Sequence, residues 1–151
     1  MKNLLAKSKQ AKNILLGILT LIVAFSFSAC SKRIAFLNSQ AVPAARGYVD
    51  LKTDKNKNNV IEIHLTELAE VQRLQPAKQT YVVWMLTDQD VTKNIGQIKS
   101  GTSMMSKQLK ASFETVSSFR PVKIFITAED DANIQYPGNQ MILETDKFYR
   151  Q

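Results

Sequence analysis

Apolar and polar residues alternate with a period of two along much of this chain, the pattern of β-strands with one buried face. Gly47, Val49 and Leu51 alternate with Tyr48, Asp50 and Lys52, and Ile61, Ile63 and Leu65 alternate with Glu62, His64 and Thr66. The polar stretch from Asp54 to Asn59 between them predicts a turn, so the two runs form a β-hairpin. Leu109, Ala111, Phe113 and Thr115 repeat the alternation. Val122 to Ala128 (VKIFITA) predicts another strand, entered through Pro121, and Met141 to Thr145 predicts the last. Thr80 to Thr87 (TYVVWMLT) is apolar almost throughout, which suits a central strand covered on both sides. Its alternation sets Trp84 with Val82 on one face and Tyr81 with Val83 on the other. A side chain as large as Trp84 is expected in the interior. A short strand is expected over Ile95, Gln97 and Lys99, with Gly96 a bulge or a close approach. Glu67 to Gln75 has apolar residues at helical spacing (Leu68, Val71, Leu74) but stops at Pro76, so it predicts a loop or a single helical turn.

The sum is about seven strands and no long amphipathic helix. This points to an all-β fold: a single antiparallel β-sandwich of immunoglobulin-like style over residues 45–151. The expected core is Val49, Leu51, Ile61, Ile63, Leu65, Val82, Trp84, Leu86, Leu109, Phe113, Ile124, Ile126 and Leu143.

The first thirty residues obey another rule. Met1 to Asn13 carry lysines and no acid, Ile14 to Phe27 (ILLGILTLIVAFSF) are uncharged and apolar, and Ser28, Ala29 and Cys30 come next. That is the layout of a secretory signal, predicted as a helix over residues 1–29, with residues 30–44 as a connection to the sandwich. The apolar run is shorter than the ~18 residues of a membrane-spanning helix.

The charge is divided between the two parts of the chain. The net charge is +7, but four of the twenty basic residues precede the apolar run and all thirteen acids lie after Cys30. Sixteen basic against thirteen acidic residues leaves +3, interspersed in sign, beyond the signal. No basic stripe with interleaved aromatics is present, which argues against nucleic acid as a partner.

Phe27-Ser28-Ala29-Cys30 resembles the lipobox of bacterial lipoproteins, departing from it at Phe27, where that family usually has an aliphatic residue. Looser signals of this type are similar to those of the Bacteroidota. The resemblance implies a diacylglyceryl thioether on Cys30, cleavage before it, and N-acylation. The membrane is then a partner through the lipid on Cys30. An ordinary thiol after a standard signal, or an uncleaved anchor, are the competing readings. Cys30 is the only cysteine, so it has no partner for an internal disulfide. Ser31 after the Cys, and Lys32 and Arg33 in place of acids, point to the outer membrane and its periplasmic face.

A second resemblance rests on Tyr81-Val-Val-Trp84, Asn94-Ile-Gly96, Phe125-Ile-Thr-Ala-Glu129 and Pro137-Gly138 before an apolar strand. Their order resembles the extracytoplasmic C-terminal domain of anti-sigma-K-type factors, over about Gly47 to Thr145. Such factors also have a cytoplasmic helical domain that grips the sigma factor, whereas only thirteen residues precede the apolar run here. The resemblance implies a sensing, interaction or structural module and transfers no catalytic residue and no cofactor.

The chemistry-bearing residues are sparse. His64 is the sole histidine and is expected on the outer side of its strand. A triad would have to use it with Ser103, Ser106 or Ser112, none in a nucleophile-elbow context. Asp54-x-Asn56-x-Asn58 opens like a calcium loop but has Asn59 where glycine belongs and Leu65 where glutamate belongs, so a hairpin turn is the better reading. Glu129, Asp130 and Asp131 are weak metal candidates, and Met104 and Met105 a possible partner surface. These features predict a non-catalytic envelope lipoprotein that binds or props an envelope protein. A small-molecule or ion sensor is the alternative, and an envelope hydrolase the third reading.

Overall fold

The computed structural model describes residues 31–98 and 110–148. Contacts divide the chain into Met1–Cys30 and Ser31–Gln151, and the second unit holds the folded domain. The predicted signal helix, Cys30, Ser103, Met104, Met105, Ser106 and Leu109 lie outside the described residues.

The fold is the expected all-β antiparallel sandwich. Among the described residues the strands are β1 (Lys32–Ala35), β2 (Arg46–Thr53), β3 (Asn59–Thr66), β4 (Thr80–Thr87), β5 (Thr92–Ile98), β6 (Ala111–Ser117), β7 (Pro121–Glu129) and β8 (Met141–Glu144). One sheet has the order β1-β2-β3-β6 and the other β5-β4-β7-β8. The β2–β3 hairpin holds the register its alternation demands: Val49 faces Ile63 and Leu51 faces Ile61. Asp54 builds the turn, its Oδ1 accepting the backbone N–H groups of Asn56 and Asn58 at 2.8 Å each. The ambiguous stretch before Pro76 holds one 3-10 turn, Val71–Arg73.

Residues 30–44, read as a connection, are partly built into the sandwich. Lys32–Ala35 pair along β2, and Phe36 and Val42 are buried. Phe36 also bridges to Thr145, and the Leu37 N–H donates to the Glu144 carbonyl at 2.8 Å, tying β1 to the β8 edge of the other sheet. The alternation in this segment is too short to announce a strand by itself.

The interior is formed by Val49, Leu51, Ile61, Ile63 and Leu65 from the first sheet. Opposite them stand Tyr81, Val83, Met85, Ile124, Ile126 and Leu143. Each such side chain stabilises the fold by roughly 1.5–3 kcal/mol through removal from water. Tyr81 is fully buried, so its hydroxyl needs a partner and donates to the Ala69 carbonyl at 2.9 Å. Burial pushes the Tyr81 phenol up to about 12.

Trp84 is buried, but not where the sequence suggested. With Val82 and Phe125 it forms a separate cluster, joined by Ile134. Its strand alternation puts it on the outer face of the second sheet, beneath the β7–β8 connection. β4 is apolar on both faces, so alternation alone does not say which face meets the interior. Leu86, also expected in the core, is half-buried, and Phe113 is partly buried against the core's edge.

Candidate functional site

The first sheet turns a polar face outward. Its cross-strand register sets Arg33, Asp50, Glu62 and Glu114 in one row and Tyr48, His64 and Ser112 in the next. Three carboxylates side by side would repel one another. Two cations relieve this. Arg33 donates Nε and Nη2 to the two oxygens of Asp50, each at 2.8 Å. This is the paired geometry for which the guanidinium fork is suited. Lys52 Nζ donates to both oxygens of Glu62 at 2.6 and 2.8 Å. The bond from Arg33 holds the Asp50 carboxyl below the usual carboxylate range, although burial opposes it. The same guanidinium lies 3.9 Å from the centre of the Tyr48 ring, which packs 4.9 Å from the His64 imidazole.

Asp50, Glu62 and His64 bring one ligand atom each within 4.8 Å of one another. Two carboxylates and an imidazole suit a divalent transition metal. To bind one, these carboxylates would have to release Arg33 and Lys52. Ser112 stands opposite His64 in register, but no hydrogen bond joins the two among the described residues. A serine–histidine–acid relay needs an acid oxygen on the imidazole. Both Asp50 oxygens are on Arg33 instead. Beside this face runs an open groove of ≈ 580 Å³, lined by Arg46, Tyr48, His64, Thr66 and Ser112 among others.

The residues that carried the second resemblance meet on the other sheet. The Trp84 indole N–H donates to Thr127 Oγ1 at 2.8 Å, and that hydroxyl donates to Glu129 Oε1 at 2.5 Å. The Gly138 N–H donates to the same oxygen at 2.7 Å. Asn94 Nδ2 donates to the Ala132 and Ile134 carbonyls at 2.8 and 3.0 Å. Two strands thus pin the β7–β8 connection across the Trp84 cluster. A Cβ on Gly138 would stand 2.6 Å from Glu129 Oε2, which explains a glycine there. Gly96 sits at the β4–β5 bulge with φ 139°, and a Cβ would meet the Phe113 ring at 2.7 Å. These side chains hold a loop in place and present no reactive group to solvent.

The three acidic candidates do not converge. Glu129 is buried in the network with Trp84 and Thr127. Asp130 pairs with Lys78 at 2.6 Å, and Asp131 accepts the Asn133 N–H in its own turn. The calcium-like Asp54 segment is the hairpin turn. Sequence alternation placed Tyr48, Asp50, Lys52, Glu62 and His64 outward, but the paired polar face was missed, because pairing is set by cross-strand register. Comparison with protein-family models, curated proteins and solved structures gave no match.

Proposed function

We propose that this chain is a lipoprotein of the bacterial envelope, anchored through lipid on Cys30, whose β-sandwich binds or props a protein partner and performs no catalysis. The outer membrane, periplasmic face, is its location in this reading. The layout around Cys30 carries the proposal: a basic start, an apolar run, small residues, one cysteine, and a folded strand beginning at Lys32. The non-catalytic part draws support from the outer face of the first sheet, where the carboxylates nearest His64 are held by Arg33 and Lys52.

The test is a Cys30→Ser variant expressed in a bacterium with lipoprotein-processing enzymes. The reading expects wild type in the membrane fraction with incorporated fatty acid and shortened to begin at Cys30, and the variant without label and at its full unprocessed length. No label on either, with the same length for both, contradicts it.

The groove beside Tyr48 and His64 favours a second reading, a periplasmic sensor of a small molecule. A small carboxylate or phosphate compound that raises the melting temperature of wild type but not of a His64→Ala variant would support this alternative.

A further inference from the structure

Only Ser31 separates Cys30 from Lys32, the first residue of β1. Two peptide units span at most about 7 Å. Where Cys30 carries lipid, the reading on which this inference rests, the end of the sandwich where β1 begins is held at headgroup level rather than on a long leash.

That end is defined by register. β2 and β4 run towards it, and β3, β5 and β7 start from it, so it displays the β2–β3, β4–β5 and β6–β7 turns. The turns are tied together: Asn59 Nδ2 donates to the Phe119 carbonyl at 3.0 Å, and the Asp88 N–H to the Arg120 carbonyl at 3.0 Å. Their tips combine exposed apolar and cationic side chains. Val91 is 45% and Phe119 41% exposed. Lys55 and Lys57 are exposed on the hairpin tip, and Lys93 Nζ lies 4.0 Å from the centre of the Phe119 ring. Among the acids of this end, Asp54 turns its carboxylate into its own turn, while Asp88 and Asp90 share a tip with Val91.

We propose that this end rests on an anionic phospholipid surface, with Phe119 and Val91 seated among the headgroups and Lys55 and Lys57 on the phosphates. Apolar rings flanked by long cationic side chains suit that boundary, since the ring leaves water while the ammonium keeps an ionic partner. Anionic lipid adds attraction for each lysine near the surface.

Cys30 is the only native cysteine, and its lipid closes it to thiol reagents, so an introduced cysteine is labelled alone. The experiment places an environment-sensitive fluorophore on F119C, V91C or Q72C in the full lipidated chain. Gln72 lies in the Val71–Arg73 turn at the opposite end. The host is vesicles of phosphatidylethanolamine with phosphatidylglycerol. Labels at 119 and 91 are expected to shift to the blue and to be quenched by a lipid-borne quencher, and the label at 72 to do neither. Both effects should shrink in phosphatidylcholine and in a K55E/K57E background. Equal burial on phosphatidylcholine contradicts the role given to the lysines. Vesicle-bound protein with label 119 as wet as label 72 overturns the docking and leaves the anchor standing. Protein that does not float with vesicles overturns both. Shielding at 119 in native envelope membranes but not in vesicles assigns the surface to a protein partner and overturns the lipid proposal.

Discussion

Trp84 donates its indole N–H to Thr127 Oγ1 at 2.8 Å on the outer face of the second sheet, away from the sandwich interior. The largest side chain of the fold therefore roofs one sheet under the β7–β8 connection. Trp84→Ala is expected to destabilise by about 3–5 kcal/mol, and Trp84→Phe by less. Because Trp84 is the only tryptophan, its fluorescence reports on that roof alone. Emission should be blue-shifted in the native protein and move to the red with loosening of residues 130–140.

Glu129 holds the other end of the same network. Glu129→Ala leaves the Gly138 N–H and the Thr127 hydroxyl without their acceptor, and should cost roughly 2–3 kcal/mol in urea unfolding. Glu129→Gln keeps an oxygen in place and should cost less. Calcium should leave the melting temperature of wild type unchanged, because Glu129, Asp130 and Asp131 face different partners. A calcium-dependent rise would restore the metal reading of these acids.

Gly96→Ala should destabilise by more than about 1 kcal/mol, since φ 139° disfavours an L side chain and the added methyl meets Phe113. Shortening the ring by Phe113→Leu should recover only part of that loss in a double-mutant cycle, because the backbone strain persists.

The Arg33–Asp50 pair makes stability depend on acid. Asp50 has a lower pKa folded than unfolded, so its contribution is complete above the ordinary aspartate value of about 3.9 and fades as pH falls through the depressed folded value. The melting-temperature gap between wild type and Asp50→Asn should be constant from neutral pH down to about pH 5 and close under stronger acid. A gap that widens in acid would contradict this assignment.

Much of the architecture was legible in the chain, for a physical reason. β2 and β3 each have one wet and one dry face, so Val49, Leu51, Ile61, Ile63 and Leu65 declare both the strand and its orientation. β4 has two dry faces, so the pattern gave the strand but not the side on which Trp84 lies. That was decided by a connection eleven residues long, 130–140, folding back over it. β1 was hidden because four residues carry too little periodicity. The polar face was legible as outward residues only: Arg33 and Asp50 are seventeen positions apart and meet through pairing of β1 with β2. The reading of Cys30 rests on local sequence alone, and strand register does not bear on it.

The proposed anchor stands or falls with the chemistry of one sulfur. Intact-mass and N-terminal peptide mass spectrometry of the native protein extracted from membranes tests it directly. The predicted result is a chain that begins at Cys30 and carries a diacylglyceryl thioether, with an acylated amine. A soluble chain with an unmodified Cys30 thiol would contradict it.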